Sequence, residues 1–207
     1  HNVYESMGKV WYEMSADNGN TWRIMNFGKP LSITDSKNPS ITIIGDFSVA
    51  ITFQEEINGY YYIRVLNYNY ILDAIWDSEI ANDTWGTGEY YDDADPVISF
   101  TSKDFSRIIV VWKVKDSGPF QPGGLYYRYG YLTGGASSSQ DIVWLSDILI
   151  IDGTNDDSYN PTIDSRNNSH PLKFHLVWQQ SNVIRYICFN VDNSTFYVHD
   201  NQILNGG

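Results

Sequence analysis

Residues 15–22 read Ser15-Ala16-Asp17-Asn18-Gly19-Asn20-Thr21-Trp22, and this octapeptide decides how the rest of the chain is parsed. Asp17 can accept backbone N–H groups within its own turn, and Gly19 supplies a positive-φ position. The Ser15 and Thr21 hydroxyls can tie the two arms together, and Trp22 is expected to enter the following strand as a large apolar anchor. Such a turn joins neighbouring strands, so it speaks to architecture before activity.

Working outward from that turn, a repeat emerges. A Pro-x-Ile type start recurs as Asn38-Pro39-Ser40-Ile41, Asp95-Pro96-Val97-Ile98 and Asn160-Pro161-Thr162-Ile163. Each is followed by an apolar strand ending in an aromatic: residues 49–53, 109–112 and 175–178. A tyrosine-rich third strand comes next (60–66, 125–131, 183–189), and a fourth contains residues 74–76, 142–144 and 196–198. Short, evenly spaced strands with turn signals between them are the pattern of propeller blades.

The N-terminus fits the same template. His1-Asn2-Val3-Tyr4 lies over His175-Leu176-Val177-Trp178, which brings Tyr12 into register with Tyr186. His1 is thus expected in the second strand of a blade whose innermost strand is absent. The spacing predicts an all-β chain of about 3.8 four-stranded antiparallel blades, approximately residues 1–35, 36–92, 93–157 and 158–207. Further propeller segments of the same or another chain are expected to complete it. A β-sandwich is the rival architecture, but it does not explain the register.

Composition agrees with this reading. Tyr (16) leads the aromatics, with 9 Phe and 7 Trp among 207 residues, while the main helix formers are sparse. With 13 basic and 25 acidic residues the formal charge is −12, a balance that repels phosphate backbones and argues against nucleic acid as a partner. No apolar run approaches the length of a membrane-spanning helix. Cys188 stands alone, flanked by Ile187 and Phe189, and reads as a buried strand thiol. Sequons at Asn82, Asn167 and Asn193 are compatible with a glycosylated, extracellular or cell-surface protein.

The spacing S-x-D-x-G-x-T-W at Ser15, Asp17, Gly19, Thr21 and Trp22 resembles the Asp-box, or BNR repeat, of the sialidase-like β-propellers. Residues 190–196 look like a copy one residue short. The resemblance implies that the turn joins the third and fourth strands of a blade, away from the ligand-binding mouth. It also implies that the loops between blades, which carry Glu89 to Asp95 and Asp152 to Asp157, gather on the mouth side. Oxygen ligands at Asp92, Asp93 and Asp95, or at Asp152, Asn155, Asp156 and Asp157, would suit Ca²⁺. Solvated acidic loops are the simpler reading, and no cofactor is required. Trp85, Tyr90, Tyr91 and Tyr159 are candidate ligand contacts, because aromatic faces stack on sugars and anchor protein interfaces.

Arg64, Arg128 and Arg185 occupy comparable third-strand positions. Pairing with neighbouring acids is favoured there over capture of a carboxylate substrate. His1, His170, His175 and His199 are dispersed, which argues against a metal or catalytic cluster. Residues 41–44, 97–101 and 162–165 of the first strands contain no Arg, His or Glu, and Asp164 is their only acidic candidate. The expectation is a non-catalytic module that binds glycan or protein or builds a surface assembly. The alternative is part of a sialidase-like glycoside hydrolase with catalytic residues on other blades.

Overall fold

A computed structural model describes residues 1–44, 46–81, 93–101, 107–114, 123–133, 141–145, 149–152, 158–166, 172–180, 183–192 and 195–204. Those residues form an all-β chain of sixteen strands arranged in four antiparallel sheets. The first sheet contains β1 (Asn2–Ser6), β2 (Lys9–Met14) and β3 (Arg23–Ile24). The second contains β4 (Ser36–Ile43), β5 (Ser48–Ile57), β6 (Tyr60–Asn69) and β7 (Ala74–Ile80). The third contains β8 (Asp93–Thr101), β9 (Arg107–Val114), β10 (Gly124–Leu132), β11 (Ile142–Trp144) and β12 (Leu149–Asp152). The fourth contains β13 (Ser158–Arg166), β14 (Leu172–Gln180), β15 (Val183–Asp192) and β16 (Thr195–Leu204).

Within each sheet, consecutive strands pair in chain order. β11 and β12 both pair with β10, whose other edge carries β9, so they are two halves of one outer strand. Two-residue turns set several of the registers. Met7-Gly8 and Asn58-Gly59 hold both residues at positive φ, which matches the twist of the hairpins they close.

The sheets touch in chain order: β1 and β2 meet β4, the strands β4 to β6 meet β8, and β8 and β9 meet β13. Alternate residues of a strand therefore serve different cores. Val49, Ile51 and Phe53 of β5 join Val10 and Tyr12 of the first sheet. Ala50, between them, joins Ile98 and Val110 of the third. In β9, Ile108, Val110 and Trp112 face the second sheet, while Ile109 and Val111 face Leu176 and Trp178 of the fourth. Burial on both faces explains why these segments are continuously apolar rather than alternating.

The register predicted across the chain is realised in atomic detail. The imidazole of His1 stacks on Tyr12 (centroids 6.0 Å, 16°) and His175 stacks on Tyr186 (6.0 Å, 18°). Each Nδ1 lies within hydrogen-bond distance of its tyrosine hydroxyl, at 2.7 and 2.8 Å.

Two sequence expectations are corrected. The Asn/Asp-Pro pairs do not start the first strands; they interrupt them as two-residue bulges. Pairing jumps from Lys37 to Ser40, from Ala94 to Val97 and from Tyr159 to Thr162. Asn38, Asp95 and Asn160 take left-handed φ values of 53°, 52° and 50°, a conformation for which Asn and Asp are the best-suited non-glycine residues. In each sheet the bulge stands opposite the aromatic that ends the apolar run: Phe53, Trp112 or Trp178. The second correction concerns Trp22, which is 46% exposed and precedes β3 rather than anchoring a core. Its indole folds back on the turn, and Nε1 donates to the Gly19 carbonyl at 3.1 Å.

Candidate functional site

The 15–22 turn is a closed hydrogen-bond unit. The Thr21 N–H and hydroxyl donate to the two carboxylate oxygens of Asp17 at 2.8 and 2.6 Å. The Ser15 hydroxyl donates to Asp17 Oδ1 at 2.8 Å and accepts the Gly19 N–H at 2.7 Å. The donors from Thr21, with help from Ser15, hold the Asp17 carboxyl down at about 2. Both carboxylate oxygens of Asp17 and the Ser15 hydroxyl are used within the turn, so it is built to hold shape.

A different site appears where the first sheet meets the second. Residues 26–28 form a tight turn in which Asn26, Phe27 and Gly28 all have left-handed φ, at 57°, 54° and 73°. Consecutive residues of that kind point successive N–H groups inward. The carboxylate of Asp73, from the turn between β6 and β7, fills the space. It accepts the Asn26 N–H at 2.7 Å, the Phe27 N–H at 3.2 Å and the Tyr68 hydroxyl at 2.5 Å. Arg23 adds a guanidinium contact at 3.1 Å. The Tyr68 oxygen in turn accepts from Asn26 N at 2.6 Å, and its ring meets Tyr12 edge-on at 5.2 Å.

Burial is the largest influence on Asp73 and opposes its ionisation. The donors Tyr68, Phe27 and Asn26 and the charge of Arg23 outweigh it together, so the carboxyl sits below its ordinary value. Burial first, then the Asp73 hydrogen bond, pushes Tyr68 well above the usual phenol range, so it remains a donor. Three exposed apolar residues belong to the two turns that this clamp joins. Phe27 is 75% exposed, and Ile71 and Leu72, immediately before Asp73, are 62% and 63% exposed. A large side chain held outward on left-handed backbone is a costly arrangement, and such outliers concentrate at functional positions. Arg23 lies beside the patch with its side chain 68% exposed.

The residues singled out from sequence fare unevenly. Trp85, Tyr90, Tyr91, Asp92, Asn155, Asp156 and Asp157, with the sequons at Asn82, Asn167 and Asn193, lie outside the described residues. Asp93, Asp152 and Tyr159 belong to β8, β12 and β13. The Asp95 side chain accepts a hydrogen bond from Asn38 Nδ2 at 2.9 Å, linking the bulges of adjacent sheets. Among the described residues no three His, Cys, Asp or Glu side chains gather as a metal group.

Of the third-strand arginines, Arg64 makes a two-pronged contact with buried Glu55, with Nε and Nη2 both at 2.7 Å. Arg128 donates to the Ala81 carbonyl and covers the Trp144 ring, and Arg185 donates to Gln180. All three are occupied by the scaffold. Cys188 is buried in β15, and Asp164 is exposed on β13.

Sequence reasoning did not single out Phe27, Ile71, Leu72 or Asp73. Two signals for them were present: apolar residues placed in turns outside the strand repeat, and Asn26-Phe27-Gly28 with its glycine and asparagine. The chain matches no protein-family model, no curated protein and no solved structure.

Proposed function

We propose that this chain has a sialidase-like β-propeller fold and works as a non-catalytic binding module outside the cell, and that it engages a protein through Phe27, Ile71 and Leu72. Consecutive antiparallel sheets packed face to face, and an Asp-box-like sequence folded into a closed turn, support the propeller part of this reading. The binding part rests on one observation. Asp73 clamps two turns from different sheets so that three large apolar side chains stand in solvent on fixed backbone. Preorganised apolar residues lose little freedom on binding, and aliphatic and phenylalanine side chains suit a protein partner better than a sugar ring. Arg23 at the rim favours an acidic neighbour.

The test is an array of extracellular proteins and glycans, probed with the wild type and with a double variant, Phe27→Ser and Leu72→Ser. Both side chains are exposed, so the variant is expected to fold. The reading predicts a protein signal that the variant loses at least tenfold. Equal binding by both proteins, or hydrolysis of a sialyl or other glycosyl reporter, would overturn it.

A further inference from the structure

We infer that the tip of the β5–β6 hairpin is a modification site, at which Asn58 converts to isoaspartate and aspartate by reaction with the Gly59 nitrogen and water. This conclusion is independent of the binding role given to Phe27, Ile71 and Leu72. Three Asn-Gly pairs occur in the chain, of which Asn205-Gly206 lies outside the described residues. The other two, Asn18-Gly19 and Asn58-Gly59, are both exposed and have matching φ values. These are 57° and 87° in the first pair, and 56° and 85° in the second. Sequence and exposure therefore do not separate them. Hydrogen bonding does.

The chemistry needs only the side-chain amide, the next main-chain nitrogen and water. The Gly59 nitrogen bonds to Asn58 Cγ, the Cγ–Nδ2 bond breaks, and Nδ2 leaves as ammonia with the proton that the Gly59 N–H gives up. Water then opens the five-membered imide. Attack at Cγ restores the ordinary chain with an aspartate, and attack at the main-chain carbonyl carbon leaves the chain running through Cγ, as isoaspartate. One water is consumed, one ammonia is released, and nothing is oxidised or reduced. A glycine at the second position favours the step because it has no Cβ to crowd its nitrogen.

To bring that nitrogen to Cγ, the peptide joining the two residues must turn about the Asn Cα–C bond. In the 15–22 turn the glycine is held on both sides. Its N–H donates to Ser15 Oγ at 2.7 Å, and its carbonyl accepts Trp22 Nε1 at 3.1 Å. Asn58-Gly59 instead connects Ile57 to Tyr60, which pair directly. The central peptide of a two-residue hairpin turn takes no part in the ladder. Among the described residues, neither the Gly59 N–H nor the Asn58 side chain has a hydrogen-bond partner. Beyond its chain neighbours, no atom lies within 4 Å of where a Gly59 Cβ would stand, so the tip has room to turn. Isoaspartate adds a carbon to the main chain there, and a turn lengthened in this way no longer fits the register at Ile57 and Tyr60.

The test ages the full chain at mildly alkaline pH in water enriched in heavy oxygen, with and without urea, and locates the label by peptide mass spectrometry. In the native chain Asn58 is expected to take up label at least tenfold faster than Asn18, because the locked turn must open before it reacts. The two rates should become comparable once urea removes the fold. Ser15→Ala frees the Gly19 N–H and should speed Asn18 while leaving Asn58 as it was. The inference is overturned by a native advantage of Asn58 below tenfold, by an advantage that persists unchanged in urea, or by an Asn18 rate indifferent to Ser15→Ala.

Discussion

Replacing Asp73 with asparagine is the sharpest perturbation of the joint between the first two sheets. Asp73 sits at φ 56°, a conformation that asparagine also tolerates, so Asp73→Asn removes the charge without disturbing the backbone. The carboxylate takes donors from Asn26, Phe27, Tyr68 and Arg23. Asn26 N–H keeps the Tyr68 oxygen as a partner in the variant. The amide keeps one acceptor oxygen, so either the Tyr68 hydroxyl or the Phe27 N–H loses its partner. An unsatisfied buried donor costs about 1–3 kcal/mol, and loss of the carboxylate charge weakens the bonds that remain. The exposed Arg23 contact adds little.

The expected loss for Asp73→Asn is about 2 kcal/mol, or a fall in Tm of roughly 4–8 °C for a chain of this length. Asp73→Ala orphans both donors and adds left-handed strain at an alanine, for about 3–5 kcal/mol. The pH dependence has a definite sign. A carboxyl held below its ordinary value contributes stability above the unfolded pKa, near 4. That contribution fades as pH falls through the lower native value. The wild-type advantage over Asp73→Asn should therefore be full at pH 7 and shrink in acid. Urea unfolding followed by tryptophan fluorescence at pH 7 and at about pH 3 reads both quantities. An Asp73→Asn loss below about 0.5 kcal/mol at pH 7, or a difference that does not shrink in acid, refutes the clamp.

Three further outcomes follow from local geometry. Asp17 should titrate at about 2, so the 15–22 turn keeps its charged form well below the ordinary carboxylate range and loosens only as pH falls through that value; a carboxyl chemical-shift titration centred near 4 would remove the basis for this. Gly130→Ala should destabilise by about 1–3 kcal/mol, because the new Cβ would stand 2.4 Å from the Val143 carbonyl oxygen; an unchanged urea midpoint would show that β10 and β11 are not this close. Asn38→Val should lower stability by about 1–3 kcal/mol, and Asn38→Gly by distinctly less, because only the former resists φ 53°. Equal losses in the two variants would mean that the bulge does not set the cost.

Much of the fold was legible because it repeats. The position of His1 over His175 and of Tyr12 over Tyr186 anticipates two stacked pairs of the same geometry, and the continuous apolar runs of β5 and β9 reflect burial on both faces. The bulges were harder to see. Proline reads as a strand boundary when only its missing N–H is considered, yet an Asx in left-handed conformation lets the strand pass through it. Trp22 was misread for a related reason: a large indole suggests a core, but its N–H found a carbonyl in its own turn. The Asp73 clamp joins residues about fifty positions apart and follows no period, so no local pattern marks it. Its apolar turns were visible as residues out of phase with the strands, which is a weak signal taken alone.

The stacked-sheet architecture is tested most directly by methyl and aromatic nuclear Overhauser contacts from the four successive residues Ile108, Ile109, Val110 and Val111 of β9. The account predicts two separate sets: Ile108 and Val110 see residues of the second sheet, including Ile63 and Ala50, while Ile109 and Val111 see Phe174 and Leu176 of the fourth. A single shared set of neighbours, with one alternate face of β9 left in solvent as in a two-sheet sandwich, would contradict it.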